Sequence, residues 1–72
     1  MKEYLVIFEW TGNNYSAYVP DLPGCITTGK TLEQTEKNVK EAVALYIDVL
    51  REDGKAIPEP TTTARPVSVA AA

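Results

Sequence analysis

The feature that most constrains this chain is an imbalance between strand and helix. Tyr4, Val6, Phe8 and Trp10 alternate with Leu5, Ile7 and Glu9, so a strand over residues 3–10 is apolar on nearly both faces. Such a strand belongs in the centre of a sheet. Only one later segment has the period and length of a helix, and one helix covers only one side of a sheet.

That helix is expected over residues 32–53. Thr31 is a good N-cap, and Gln34 three residues later completes a capping-box pattern. Glu33 and Glu36 fall in the first turns, where the helix dipole favours negative charge. Leu32, Val39, Val43, Tyr46 and Leu50 recur on one stripe, with Ala42 and Ile47 beside them. This stripe is expected to be core. Leu45 falls off it and is expected to be exposed or covered by another subunit. Gly54 supplies the stop, with Pro58 beyond it.

The other elements are short. Thr11-Gly12-Asn13-Asn14 suits a tight hairpin. A two-residue loop at Gly12-Asn13 pairs Trp10 with Tyr15 and Phe8 with Ala17, all on one face. Tyr15–Val19 returns, Pro20-Asp21-Leu22-Pro23-Gly24 turns, and Cys25–Thr28 forms a third strand closed by Gly29. A last strand over Arg65–Val69 carries Pro66, which confines it to an edge. The expected architecture is therefore α+β, in the order β-β-β-α-β. It is a four-stranded mixed sheet, order 3-2-1-4, with one helix on one face and a right-handed crossover. Residues 1–69 form one domain and 70–72 a frayed tail.

If the helix covers Tyr4, Val6, Phe8, Ala17 and Val19, then Leu5, Ile7 and Tyr18 are left on the other face. An apolar sheet face of this kind marks an interface. The rigid Pro20, Asp21, Leu22, Pro23 loop is explained by turn geometry alone, and also borders that face. These seven residues are the candidate partner-binding or oligomer surface.

Composition narrows the partner. At 72 residues the core is small, and such chains lean on disulfides, a metal or a second subunit. Cys25 is the only cysteine and there is no histidine, which leaves oligomerisation, as a dimer or tetramer. A lone cysteine and no signal-peptide pattern favour a reducing cytoplasm. The run Leu5-Val6-Ile7-Phe8 is too short to span a bilayer. The net charge of -3, with scattered lysines, argues against direct nucleic-acid binding and suits a basic protein.

The stretch Tyr15-Ser16-Ala17-Tyr18-Val19-Pro20-Asp21-Leu22-Pro23-Gly24-Cys25 resembles the Y-x-A-x-V-P-D-L-P-G-C signature of the HicB antitoxin family. Thr28-Gly29-Lys30-Thr31-Leu32-Glu33-Gln34 resembles that family's T-x-G-D-T-x-E-E, with Lys30 in place of the acidic residue. Asn38-Val39-Lys40-Glu41-Ala42-Val43 resembles its N-I-x-E-A-I, so the likeness spans residues 3 to about 60. The resemblance implies a partial ribonuclease-H-like fold and neutralisation of a small basic HicA-type toxin that cleaves messenger RNA. Many members add a C-terminal DNA-binding domain. This sequence stops at Ala72, and is expected to be the stand-alone form.

Catalysis is the weaker reading. Glu9 and Asp21 lie near strand ends, but Glu41, Asp48 and Glu52 fall on the solvated side of the helix, so no convergent carboxylate set for divalent metals is visible. Cys25 has no histidine to activate it as a nucleophile. Trp10, Tyr15 and Tyr18 lack the basic neighbours of a base-stacking platform. The expectation is a non-catalytic protein-binding module without cofactors. An orphan, self-associating structural or regulatory protein without a toxin is the alternative.

Overall fold

The computed structural model describes residues 2–71. Strands β1 (Ile7–Trp10), β2 (Tyr15–Tyr18) and β3 (Ile26–Gly29) precede one helix, α1 (Leu32–Glu52). The sheet is antiparallel throughout, in the order β1-β2-β3. This corrects the expected four-stranded mixed sheet of order 3-2-1-4. The neighbours among the first three strands are as expected, but Arg65–Val69 forms no strand and lies exposed. The reason is local. Proline withholds a donor, and Val67 and Val69, split by Ser68, are too few apolar groups to compel burial.

The first hairpin follows its turn chemistry. Trp10 opposes Tyr15 and Phe8 opposes Ala17. Thr11 N–H donates to Asn14 O at 2.9 Å, closing a loop in which Gly12 takes φ 107° and Asn13 stays negative. A glycine first in a two-residue loop is the arrangement of a II′ connection.

The second connection folds inward. Leu22 N–H bonds Val19 O at 3.0 Å, Cys25 N–H bonds Leu22 O at 3.0 Å, and Val19 N–H bonds Cys25 O at 3.1 Å. Pro20 and Pro23 each preset φ for the second position of a turn, and Gly24 takes the positive φ of 81° that a type II turn needs after Pro23. Two stacked turns thus satisfy the backbone and drive the Leu22 side chain into the core, where it is fully buried.

The helix is well ended. Thr31 Oγ1 accepts from Gln34 N–H at 3.0 Å, the first half of a capping box. The Gln34 amide does not reach back; it donates to Asn38 Oδ1 at 2.8 Å instead. At the other end Lys55 N–H bonds Leu50 O at 2.9 Å and Gly54 N–H bonds Arg51 O at 3.1 Å, with Gly54 at φ 66°. That pair is a Schellman motif. Ala17, Val19, Leu22, Cys25 and Val39 form the buried core, with Tyr4, Val6, Phe8, Ala42, Val43, Tyr46 and Ile47 packed against it. Leu32, expected in the core stripe, is 46% exposed because it sits at the helix entrance, beyond the sheet edge.

The helix rests on β3 at one point of close approach. Thr35 is buried, and its hydroxyl donates to Thr31 O at 2.7 Å, so its polarity is satisfied. A Cβ on Gly29 would stand 2.5 Å from Thr35 Oγ1 and 2.8 Å from its backbone nitrogen. A rotamer change cannot relieve a clash with backbone. Gly29→Ala is therefore expected to destabilise the fold by about 1–3 kcal/mol through overpacking. Chemical denaturation checks this, and a stability loss under about 0.5 kcal/mol, the range of ordinary surface substitutions, would contradict the packing described.

Candidate protein-binding surface

Sheet register decides which side chains share the face away from α1. Ile7 opposes Tyr18 and Tyr18 opposes Ile26, so these three form one row across all three strands. Along the same face lie Glu9, Ser16 and Thr28. Leu5 and Ile7 are half-buried, Tyr18 is 36% exposed, and Ile26 is 63% exposed. The row is apolar at its centre and polar beyond it, which is the layout of an interaction patch.

The seven residues singled out from the sequence divide. Ile7 and Tyr18 lie on this face, whereas Leu5 precedes β1, outside the paired residues. Pro20 is half-buried and Pro23 is exposed on the loop beside it. Leu22 has turned inward and offers no surface.

Asp21 makes an internal clasp. Its Oδ2 accepts from the backbone N–H groups of Thr61 and Thr62 at 3.0 and 3.1 Å, and its Oδ1 accepts from their hydroxyls at 3.0 and 2.8 Å. The Thr62 backbone and hydroxyl hydrogen bonds hold the carboxyl below its ordinary value, with Thr61 adding to them against the opposing effect of desolvation. Upstream, Tyr4 OH donates to Pro58 O, and Lys2 pairs with Glu59. The segment leaving the helix is thus tied across the start of β1 and the end of β2.

Three surface residues escaped sequence reasoning as site members. Ile26 reaches the row only through the Tyr18 pairing, which the doubled-back loop at 19–25 hides from any count along the chain. Leu45 and Val49, 66% and 46% exposed, line a groove between α1 and β3 together with Cys25 and Ile26. Leu45 was visible as an outlier from the helical stripe; Val49 carried no signal.

Cys25 is a core residue. It is 5% exposed, and burial pushes its thiol up from the usual range, which disfavours the thiolate a nucleophile needs. Among the described residues, no three His, Cys, Asp or Glu side chains gather where they could hold a metal ion. No described helix is long and apolar enough to cross a membrane.

The clasp carries a prediction of its own. A carboxylate whose pKa is depressed in the folded state stabilises above its unfolded value, ordinarily 3.8 here, and that contribution is lost as pH falls through the folded value. Asp21→Ala is expected to speed hydrogen exchange several-fold at Thr61 and Thr62 near neutral pH, and to leave α1 amides unchanged. Acidifying the parent protein below the folded value, which itself lies under 3.8, is expected to reproduce that local effect relative to the intrinsic exchange rate at the same pH. Equal protection of both threonines in parent and variant would show that the clasp does not form in solution.

Comparisons with known proteins place the chain in a family. Residues 4–69 match the family model described as HicB-like antitoxin of bacterial toxin–antitoxin systems. A UPF0150 protein of Thermoplasma acidophilum is 40% identical over 58 residues, covering 81% of this chain and 84% of the relative. A UPF0150 protein of Archaeoglobus fulgidus is 42% identical over 59 residues, covering 79% and 86%. An uncharacterized 14.9 kDa protein of Haemophilus phage HP1 is 36% identical over 56 residues, and there the match takes in 78% of this chain but 42% of the longer phage protein. Among solved structures, a chain of the HicA3 and HicB3 toxin–antitoxin complex superposes with a TM-score of 0.70 at 32% identity, covering 83% of this chain and 70% of that one. This chain belongs to the HicB-like antitoxin family of bacterial toxin–antitoxin systems.

Proposed function

We propose that this chain is a non-catalytic antitoxin that neutralises a small HicA-type toxin, a messenger-RNA-cleaving protein, by covering its active surface. The observation that carries the reading is the helix-free row Ile7–Tyr18–Ile26, an apolar strip on an acidic molecule whose single helix lies on the other face. Its similarity to a chain of a solved toxin–antitoxin complex supports the same reading. Apolar contact at the centre of the strip would supply affinity. The surrounding acidic balance would steer a basic toxin toward it.

The lone thiol is buried and its pKa raised, which makes it a poor nucleophile and is in keeping with a role by occlusion. The setting proposed is the reducing cytoplasm. The chain is also proposed to self-associate, as a dimer or tetramer, because exposed apolar groups extend beyond the strip to Leu45 and Val49.

Co-expression with the HicA-type toxin encoded beside it is expected to restore growth, and the two proteins to co-purify. Tyr18→Glu combined with Ile26→Lys places charges in the middle of the strip and is expected to weaken toxin binding by at least about 30-fold, or ~2 kcal/mol. Titration calorimetry on a variant with unchanged circular dichroism provides the measurement. Unaltered affinity would move the interface elsewhere on the molecule. Failure of the parent protein to bind or rescue would remove the antitoxin reading itself.

A further inference from the structure

Two parts of the molecule are left unsatisfied in complementary ways. One is the groove of about 440 Å3 between the outer edge of β3 and the C-terminal half of α1. Ile26, Leu45 and Val49 stand 63%, 66% and 46% exposed around it, and Asp53 and Lys55 also line it. The other is the arm after the Asp21 clasp. Residues 63–71 are exposed and belong to no helix or strand, with Val67 and Val69 at 82% and 78% exposure.

We propose that the arm Arg65–Val69 of a second copy of this chain seats in the β3–α1 groove, and that two copies exchange arms reciprocally. The pitch of the two surfaces supports this pairing. Asp53, Val49 and Leu45 are four residues apart on α1 and its cap, so they form one stripe with steps of about 6 Å. In an extended chain, residues two apart share a side at about 6.7 Å. Arg65, Val67 and Val69 therefore present a cation and two branched apolar groups to a carboxylate and two apolar groups in matching order. Over the three positions the mismatch grows to only about 1.5 Å, within side-chain reach.

The backbone agrees with the side chains. Val19 N–H bonds Cys25 O, so Cys25 faces β2 and the next residue, Ile26, turns its N–H and C=O toward the open edge. Farther along that edge, Asn38 Nδ2 already donates to Thr28 O at 2.8 Å, which caps it. The unpaired stretch therefore lies at the groove. In an arm that turns residues 65, 67 and 69 toward the groove, the backbone polar groups of those same residues face β3. Pro66, which has no N–H, then faces solvent, the one side of an added strand that admits proline.

The opposite edge, beside β1, also carries a groove, of about 560 Å3, but Lys2, Glu3, Glu36 and Lys40 line it, so it is a poorer match for an arm with two valines. A second copy satisfies both unsatisfied parts at once, since a two-fold pair forms each contact twice. This deepens the self-association proposed above and requires no toxin.

Light scattering and sedimentation on the full chain over a range of concentrations test it. The parent is expected to show at least dimer mass. Val67→Asp with Val69→Asp, on an arm that packs against nothing in the single chain, is expected to give monomers with unchanged circular dichroism. Asp53→Arg and Arg65→Asp are each expected to weaken association on the order of tenfold, because the pair occurs twice, and the double variant to recover it. Leu45→Cys with Val69→Cys is expected to yield a covalent dimer under mild oxidation. Three results would overturn the proposal. A parent monomeric at every concentration removes self-association altogether and leaves the toxin reading untouched. An oligomer indifferent to the arm variants keeps self-association but assigns it elsewhere. A cross-linked monomer places the arm on its own chain.

Discussion

A sheet has two faces, and this chain supplies one helix. Everything else in the molecule answers to that fact. The helix reaches the sheet through a single crowded point, where Gly29 leaves room for Thr35, and from there Val39 lies over Ala17, Val19, Leu22 and Cys25. Because the chain is short, the buried cluster is small, and Leu22 must be recruited from a loop to complete it. The two prolines and Gly24 shape that loop so that a hydrophobic side chain points inward while the N–H groups of Val19, Leu22 and Cys25 stay hydrogen-bonded.

The same shortage explains what happens to the segment after the helix. It brings too few apolar groups to form another layer, so polar ties hold it. Asp21 gathers four hydrogen bonds from Thr61 and Thr62, and Tyr4 takes Pro58. A carboxylate at a loop corner looks available to a partner when seen in isolation. Here its lone pairs are occupied by the chain itself, and its effect is to fix where the arm begins.

What remains uncovered falls into two patches with different characters. The Ile7–Tyr18–Ile26 row is a shallow strip on a sheet face, flanked by Glu9, Ser16 and Thr28. The Leu45–Val49 groove is concave, edged by an open strand, and ends in charge. A strip suits the broad surface of another folded protein, and a groove suits an extended segment. Membership in an antitoxin family, together with a likeness to a chain of a toxin–antitoxin complex, is the reason both patches are read as surfaces for protein partners.

Local chemistry was readable from the residues alone. The hairpin register follows from Gly12 and the alternation around it, the helix bounds from Thr31 and Gly54, and the shared face of Ile7 and Tyr18 from the same alternation. Each depends on neighbours within a few positions, where turn and capping preferences are strong. Tertiary structure decided the rest. Whether Leu22 pointed out or in, whether Asp21 met a partner or Thr61 and Thr62, whether Ile26 joined Tyr18, and whether Arg65–Val69 found a place in the sheet all turned on contacts between distant segments. Those outcomes are settled by which groups the small core has left to cover, and no local pattern encodes that competition.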